Sequence, residues 1–395
     1  MLSIDEARSL LATRVTPLAA VECPLAEAAG QRLARAVHAD ADLPPADLSA
    51  MDGYATRHDD LLHGGALPVA LELPAGAMPE PLARGNAARI FTGAPLPAGA
   101  DTVVQQEKAK RDARGRVLLE ALPSGSNVRR RGELFARGHL LASAGAVLTP
   151  ARVALLAAGG ASKVRVVPRP QLACLITGHE LIETDVRPGP GQIRNSNGPM
   201  LAALAESQDL IQRLSLRVDD DEASTRAAIE GAVKKAELVL SSGGVSVGDY
   251  DFVPRVIAEL GGEVIFHGVS LKPGKPTLVA RVNETYFVGL PGNPLAVLVG
   301  WRLFVQPLVE ALAGDGSAFE ESLPTAAIAE PYHNRSRRTV LHPALVTPSV
   351  KGAIVYALPW KGSHDLVAGA QANALLRVEP RQSFAAGDLA PCYLL

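Results

Sequence analysis

The middle of the chain alternates between short apolar runs and longer amphipathic or apolar stretches. The apolar runs predict strands at 172–176, 211–218, 238–241, 278–282 and 286–290. The stretches that alternate with them predict helices at 199–206, 222–235, 252–260 and 294–312. Suitable caps precede three of these helices, namely Asn197, either Asp220 or Asp221, and Asn293 followed by Pro294. This alternation predicts a mostly parallel sheet with helices on both faces, a three-layer α/β arrangement.

The segments on either side have a different pattern. From about 40 to 145, short runs of Val, Leu and Ile are broken by Pro, Gly and Asp, which predicts a β-rich lobe with no helix longer than two turns. Similar runs from about 320 onwards predict a small C-terminal β-barrel or sandwich. A capping-box pattern of Ser3 and Glu6 predicts a short N-terminal helix, and Thr149-Pro150 predicts another, followed by a strand at 163–167.

Composition narrows the class of protein. The 395 residues include 39 Lys plus Arg and 41 Asp plus Glu, so a net charge of -2 gives no general attraction to nucleic acid or to an acidic membrane. Cys23, Cys174 and Cys392 lie far apart, which excludes a disulfide framework and indicates a reducing compartment. The apolar run at 285–301 is interrupted by Pro291-Gly-Asn-Pro294, which predicts strand, turn and helix rather than a membrane span. We therefore expect a soluble, cytoplasmic protein that binds neither nucleic acid nor membrane.

Candidate chemistry is concentrated in the loops that follow the predicted strands, where open parallel sheets bind ligands. The Ser242-Gly243-Gly244 loop is typical of a phosphate or oxyanion cradle at a helix N-terminus, and equally of a tight turn. Asp249 and Asp251, which follow it, are suited to holding Mg²⁺ beside a phosphate. Lys272 and Lys275 flank a Pro-Gly turn and form either an anion-binding pair or a solvated turn.

Other polar turns have a structural interpretation and a functional one. Asp219 to Asp221 are explained by helix capping, and Pro291 to Pro294 by the preference of Asn and Pro for a helix start, although a backbone contact with a ligand at that strand end is reasonable. Arg129 to Arg131 form either an anion site or a solvated face. The histidine spacings argue against a structural zinc site, and no nucleophilic triad stands out.

Six motifs occur together in one order along nearly the whole chain. They are Ser49-Ala-Met-Asp-Gly-Tyr-Ala55, Thr92-Gly-Ala-Pro95 with Gly99, Arg129-Arg-Arg-Gly-Glu133, Ser242-Gly-Gly-Val-Ser-Val-Gly-Asp-Tyr-Asp251, Lys272-Pro-Gly-Lys-Pro276 and Pro291-Gly-Asn-Pro294. In this combination the chain resembles the molybdopterin molybdenumtransferase family, the MoeA and gephyrin E-domain group. The resemblance implies insertion of molybdate into adenylylated molybdopterin with release of AMP, assisted by Mg²⁺.

The resemblance also implies a set of site residues. The implied catalytic residues are Asp52, Thr92, Glu180, Asp220 and Asp251, of which Glu180, Asp220 and Asp251 would hold the metal. The implied substrate-binding residues are Ser242, Gly243, Gly244, Ser246, Lys272, Lys275, Pro291, Asn293, Pro294 and Ser363.

The family organisation implies a homodimer of four-domain subunits, in which the partner's β-rich lobe completes the cleft. Molybdopterin adenylyltransferase and apo-molybdoenzymes are expected partners. The expected domains are a discontinuous helical and linker domain (1–45 and 140–170), a β-rich lobe (46–139), an α/β molybdopterin-binding domain (171–318) and a C-terminal β-barrel (319–395). The fold class is thus multidomain α/β plus β.

Three positions depart from the family pattern, and they keep two alternatives open. Leu134 and His179 replace acidic residues, and Gly268 replaces a common Lys, which affects metal handling and molybdate affinity more than pterin binding. One alternative is a catalytically weakened relative that binds molybdopterin or its molybdenum form and scaffolds its transfer. The other is a molybdopterin adenylyltransferase, against which the N-terminal motifs argue.

Overall fold

The chain divides into two compact units in a computed structural model that describes residues 1–245, 252–350 and 352–395. One unit contains Met1–Ala20 and Val167–Leu395, and the other is Val21–Val166. The candidate residues Ser246, Asp249 and Asp251 lie outside the described residues. The four predicted domain boundaries stay a prediction, because the two units are a coarser division of the chain.

A six-stranded sheet forms the centre of the first unit. Its strands lie in the order Gln212–Val218, Leu172–Thr177, Leu238–Ser242, Thr285–Leu290, Leu278–Val282 and Glu263–His267. The first four are parallel, and Leu278–Val282 runs antiparallel to both of its neighbours. The Glu263–His267 edge strand therefore runs in the same direction as the first four, which confirms the mostly parallel sheet. The pattern did not predict the Glu263–His267 strand, which is an exposed edge strand and so lacks a continuous apolar run.

Helices cover both faces of this sheet, as predicted. They are Asn197–Glu206, Glu222–Val233, Val253–Glu259, Pro294–Gly300 and Gln306–Leu312, the last two joined by a π-helical turn at Trp301–Val305. Successive strand residues point to opposite faces, so Cys174 packs in one apolar core with Val297 while Leu175 packs in the other with Ile229. The stretch Pro294–Leu312 is long and apolar enough to cross a membrane, yet 78% of its most apolar window is buried in this core.

The N-terminal helix, Ile4–Ala12, belongs to the same unit. Its predicted capping box is present, since Ser3 and Glu6 each accept a backbone hydrogen bond from the other. Ile4 and Leu11 are fully buried in the core that lies on one face of the central sheet. The helix therefore packs with the α/β core, whereas residues 21–45, with which the expected domain grouped it, lie in the other unit.

A closed five-stranded barrel completes the first unit. Of the two predicted C-terminal folds, a β-barrel or a sandwich, the barrel is therefore the correct one. Its strands are Thr325–Ile328, Thr339–Ser349, Gly352–Ala357, Ala374–Val378 and Leu389–Leu394. The short strand Leu271–Lys272 pairs with the barrel strand that begins at Thr339 and thereby joins the lysine turn to the barrel. A short pair, Tyr332–His333 with Ser383–Phe384, and a helix, Leu366–Gln371, were not predicted.

The second unit is β-rich, as predicted, and its two α-helices among the described residues are His58–Leu62 and Pro150–Ala158. A four-stranded sheet has the order Val69–Leu73, Ala87–Ile90, Gly53–Thr56 and Thr102–Gln105. The unit's other strands are Val21–Pro24, Arg32–Leu33, Val37–His38, Leu48–Ser49, Ala66–Leu67, Ala109–Arg111, Val117–Leu119, Val128–Arg129, Leu140–Ala142 and Lys163–Val167.

Candidate functional site

Asp52 and Thr92 form one hydrogen-bonded pair in the β-rich unit. Asp52 precedes the Gly53–Thr56 strand and Thr92 follows the neighbouring Ala87–Ile90 strand, so antiparallel pairing brings them together. The Asp52 Oδ1 atom accepts hydrogen bonds from the backbone N–H and the hydroxyl of Thr92, each 2.8 Å long. These bonds, with the nearby Arg89 charge, lower the pKa of the exposed Asp52 carboxyl. The pair therefore offers a solvent-facing carboxylate that stays ionised.

Glycine at position 53 follows from packing. A Cβ atom there would lie 2.0 Å from the carbonyl oxygen of Val104 on the adjacent strand, so the sheet closes beside Asp52 only with glycine. The preceding Ser49 hydroxyl donates to the carbonyl of Met51 and tightens the same turn.

The basic run at 129–131 is paired within its own unit. Arg130 binds Asp47 at 2.7 Å and Arg131 binds Asp42 at 2.6 Å. These pairs favour the interpretation as a solvated, structural face over that as an anion site. Leu134, which stands where the family reads Asp, is 71% exposed and presents an apolar side chain to solvent.

In the first unit, the carboxyl ends of four parallel strands meet at one edge of the central sheet. At the ends of these strands, Thr177 pairs with Val218 on one neighbouring strand. Ser242, at the end of the third strand, pairs with Ile176 on one side and with Leu290 on the other. The loops after these strands are the ones that carry the predicted ligand-binding residues. The strand-end location expected for a ligand site in this fold is therefore populated by Glu180, Asp220, Gly243 and Asn293.

Gly243 and Gly244 form the tight part of the loop after the third parallel strand. Their φ angles are +96° and +69°, and a Cβ at Gly243 would lie 2.4 Å from the Thr177 hydroxyl. The N–H of Gly243 donates to the carbonyl of Leu290 at 2.9 Å, so this amide is used within the sheet edge and is not free for an anion. Within residues up to 245, the loop acts as a close-packed turn, the structural interpretation of this motif.

Asn197 lies in the candidate site, although the sequence pattern predicted only a helix cap at this position. It was expected to cap the helix, but it is the first helical residue and Ser196 occupies the cap position. Its side-chain amide donates to the Ser242 hydroxyl and to the Gly292 carbonyl, both at 2.7 Å, and the residue is 8% exposed. Asn197 therefore ties the glycine loop to the Pro291–Pro294 loop. Ser242 could have indicated this role, because a buried hydroxyl at the end of a strand needs a hydrogen-bond partner.

The acidic loops are also joined to each other. The backbone N–H of His179 donates to Asp220 Oδ2 at 2.8 Å, whereas Asp221 caps the following helix by accepting from Ser224. The open choice between the two aspartates is thereby resolved in favour of Asp221, and Asp220 links the loops instead. Hydrogen bonds from Ser224 lower the pKa of Asp221, and the nearby His179 contributes.

The donor set for a divalent cation is only partly described. Glu180 and Asp220 supply the hard oxygen ligands that Mg²⁺ prefers. Within the described part of the chain, no group of three or more His, Cys, Asp or Glu side chains is arranged to hold a metal ion. The described residues therefore supply two carboxylates of the type that Mg²⁺ prefers, and Asp251, the third expected ligand, lies outside them.

Two adjoining cavities open beside these loops. A cleft of about 550 Å³ is lined by Glu180, Asn195, Asn197, Asn293 and Pro294, among others. A smaller pocket of about 250 Å³ also borders Asn293 and lies where the central domain meets the barrel. The Pro291–Pro294 loop borders both cavities, and the lining of the cleft combines several amides with the opposite charges of Glu180 and Arg194.

The second pocket is basic. Its lining includes five predicted residues, Lys272, Lys275, Pro291, Asn293 and Ser363, together with Arg338 and Trp360, which were not predicted. None of the ion pairs among the described residues involves the three cations, Lys272, Lys275 and Arg338. We call this the oxyanion pocket, because three cations that have no carboxylate partner among the described residues, beside a hydroxyl, suit a compact polyanion.

Strand pairing explains how Arg338 reaches this pocket. Leu271 pairs with Thr339 and Lys272 with Val340, so the residue before the barrel strand lies beside the lysine turn. A guanidinium N–H of Arg338 donates to the Leu271 carbonyl at 2.9 Å. No local pattern could have indicated Arg338, because its neighbours in the pocket lie in other segments of the chain.

Gly268 shows a backbone reason for one departure from the family pattern. Its φ angle is +89°, a conformation that strains any residue with a side chain. A Lys at this position would be disfavoured by the local backbone, so this chain relies on Lys272, Lys275 and Arg338 for its positive charge.

Comparisons with known proteins give one consistent result along the chain. Family models match at residues 2–160, described as the MoeA N-terminal region (domain I and II), at 173–311, a probable molybdopterin binding domain, and at 325–395, the MoeA C-terminal region (domain IV). A molybdopterin molybdenumtransferase of a Nostoc species is 39% identical over 78% of this chain and 73% of its own length. One from Staphylococcus aureus strain MSSA476 is 32% identical over 94% of this chain and 90% of its own.

The solved structures agree. The crystal structure of a molybdopterin biosynthesis MoeA protein from Pyrococcus horikosii superposes with a TM-score of 0.83 at 29% identity, covering 100% of this chain and 99% of the other. Matches of this identity and coverage, in all three regions, establish the family. The chain belongs to the MoeA family, the group of the molybdopterin molybdenumtransferases.

Proposed function

We propose that this protein inserts molybdenum from molybdate into adenylylated molybdopterin, with release of AMP. The observation that carries the proposal is the oxyanion pocket, which places Lys272, Lys275 and Arg338 around Ser363 beside the strand-end cleft. Molybdate is a compact dianion, so three cations and a hydroxyl donor match its charge and its oxygen atoms. The family match over nearly the whole chain supports the same activity.

The neighbouring cleft is suited to the organic substrate. It borders the carboxylate of Glu180 and the amides of Asn195, Asn197 and Asn293, which together can accept and donate hydrogen bonds to a pterin or a nucleotide. Because Asn293 borders both cavities, a pterin bound in the cleft would lie next to molybdate in the oxyanion pocket. Proximity of the two substrates is the first requirement for transferring the metal.

Glu180, Asp220 and Asp251 would hold Mg²⁺ in this proposal. The ion would supply Lewis-acid stabilisation of the phosphoryl group that is cleaved. The protein's own contribution is to hold Asp220 through the His179 amide. Within the described residues, the cationic side chains of the oxyanion pocket form no ion pair with a carboxylate.

A homodimer in the cytoplasm, with molybdopterin adenylyltransferase and apo-molybdoenzymes as partners, completes the proposal. In that arrangement the Asp52–Thr92 pair would reach the cleft of the partner subunit. The ionised carboxylate of Asp52, free on its solvent side, supports such a role. Neither a scaffold nor an adenylyltransferase is favoured, because the relatives that match most of the chain are molybdenumtransferases.

The decisive experiment incubates the purified protein with adenylylated molybdopterin, molybdate and Mg²⁺, and follows AMP release and molybdenum incorporation together. We expect both to depend on molybdate. Binding of the pterin without molybdate-dependent AMP release would reject an insertase and support the scaffold.

Lys275→Ala tests the pocket in the same assay. We expect a rise of about tenfold in the KM for molybdate, because a charged hydrogen bond to the anion is lost. Lys235→Ala removes an exposed lysine outside the pocket and serves as the matched control. An equal KM in the two variants would place the molybdate site elsewhere.

A further inference from the structure

Trp360 is the one aromatic side chain among the described residues that line the oxyanion pocket, and the function proposed above gives it no role. It lies in the segment after the Gly352–Ala357 barrel strand and is half-buried. Its contacts run to both sides of the pocket, toward the lysine turn and toward Ser363.

The first contact is with Lys272. The Lys272 ammonium lies 5.4 Å from the centroid of the Trp360 ring, within the range of a cation–π interaction. Lys272 is exposed and forms none of the ion pairs described above, so the indole face is the feature that restrains its long side chain. Restraining a flexible lysine before the anion arrives reduces the entropy lost on binding.

The second contact is with the turn that carries Ser363. The indole N–H of Trp360 donates to the carbonyl of Gly362, whose φ angle is +128°. The carbonyl of Ser363 accepts from the N–H of Leu295 at 3.1 Å, in the first turn of the Pro294–Gly300 helix. Trp360 and this helix start therefore fix the position of Ser363 from both sides.

The indole is in turn held by the barrel. His342 packs edge-on against it, with ring centroids 5.2 Å apart and planes at 90°. The Nε2 atom of His342 must donate to the Leu358 carbonyl, 2.7 Å away, so Nδ1 accepts from the Tyr332 hydroxyl at 2.9 Å. Burial lowers the pKa of His342, and the Lys272 charge contributes, so the ring is neutral and its orientation is fixed by two hydrogen bonds.

We propose that Trp360 is a positioning residue of the oxyanion pocket: its ring face orients the Lys272 ammonium and its indole N–H fixes the turn that carries Ser363. This inference rests on the proposed molybdate site and explains how a lysine and a serine from separate domains keep one geometry. In this role Trp360 acts through these two groups.

The test measures molybdate binding to the full-length protein by calorimetry, without pterin. We expect Trp360→Leu to raise the Kd about fivefold, because the cation–π contact is lost. Trp360→Phe retains a ring face without the N–H and is expected to raise it about twofold. Tyr356→Phe, on an exposed neighbour that lines the adjacent groove but touches neither group, is the matched control with an unchanged Kd.

A double-mutant comparison separates positioning from general loosening of the fold. In a Lys272→Ala background, Trp360→Leu is expected to raise the Kd only about twofold, because the loss of the indole N–H remains whereas the contact with Lys272 is already absent. The same fivefold loss in both backgrounds, or a Trp360→Leu protein that binds as tightly as the wild type, would overturn the inference. If Trp360→Leu does not fold, Trp360→Phe decides in its place, and a wild-type Kd for that variant overturns the inference.

The proposed function and the role of Trp360 would fail in different measurements. Wild-type protein that binds molybdate but releases no AMP would contradict the insertase and leave the Kd ratios of the Trp360 variants standing. Normal wild-type turnover with no effect of Trp360→Leu on the molybdate Kd would contradict only the positioning role.

Discussion

At the scale of single residues, the carboxamide of Asn197 links two loops of the candidate site. Asn197→Ala removes its hydrogen bonds to Ser242 and to the Gly292 carbonyl. We expect a loss of about 1–3 kcal/mol in the free energy of unfolding, because buried partners are left unsatisfied. Urea denaturation measures this loss, with the exposed Glu206→Ala on the same helix as control. Equal stabilities of the two variants would contradict the bridging role.

Residue-scale chemistry also explains which assignments came from local pattern. Ser3 and Thr149 were identified as helix caps, and the cap of a third helix was narrowed to Asp220 or Asp221, because a cap needs only its own next three residues. Asn197 looked like another cap for the same reason. Its actual partners lie on two other strand-end loops, and no local rule names them.

At the scale of elements, the Ile4–Ala12 helix is held by a buried arginine. Arg8, which is 5% exposed, donates to the carbonyls of Leu303 and Phe319. We expect Arg8→Ala to lower the free energy of unfolding by about 2–4 kcal/mol, because two carbonyl groups lose their donor and apolar packing is lost. Denaturant unfolding of the full chain measures the change.

Arg14→Ala is the matched control for this prediction. Arg14 pairs with Glu263 on the surface, and both side chains are at least half exposed, so its loss is expected to cost at most about 0.5 kcal/mol. A control as destabilised as Arg8→Ala would show that the helix is not anchored through Arg8.

Burial distinguishes the elements that the sequence could predict from those that it could not. The Leu172–Thr177 and Thr285–Leu290 strands are buried on both faces and so appear as continuous apolar runs. The Glu263–His267 strand and the Leu366–Gln371 helix are short and partly exposed, and their existence depends on the neighbour they pair or pack with. Their sequences lack the periodicity on which prediction relies.

At the scale of the whole molecule, each unit has its own apolar cores. Leu33, Leu148 and Leu156 form one such core inside Val21–Val166, and Ala55, Ile90 and Val103 belong to another. We expect a fragment of residues 21–166 to fold alone and to unfold cooperatively in urea, with dispersed NMR amide resonances. A fragment of 167–395 should be less stable than the same segment joined to residues 1–20, since Ile4 and Leu11 complete its core. A 21–166 fragment without cooperative unfolding would contradict this division.

The candidate site divides in the same way. Periodicity, caps and the six ordered motifs were enough to predict the α/β layer, the β-rich lobe and the family, because each of these depends on neighbours a few positions apart. Five residues that line the oxyanion pocket were also predicted. The loops after parallel strands had to meet, since parallel strands end at the same edge.

The remaining parts of the site depend on segments that are distant along the chain. Pairing of Leu271–Lys272 with the barrel brings Arg338 and Trp360 to the lysine turn, and the barrel also places Ser363 at a helix start. A sequence pattern indicates which face of a helix or strand is apolar. The contacts of Arg338, Trp360 and Ser363 depend instead on how the barrel packs against the α/β domain. The motifs therefore indicate the family and the candidate site residues. The charge and geometry of the proposed oxyanion pocket come from the tertiary fold.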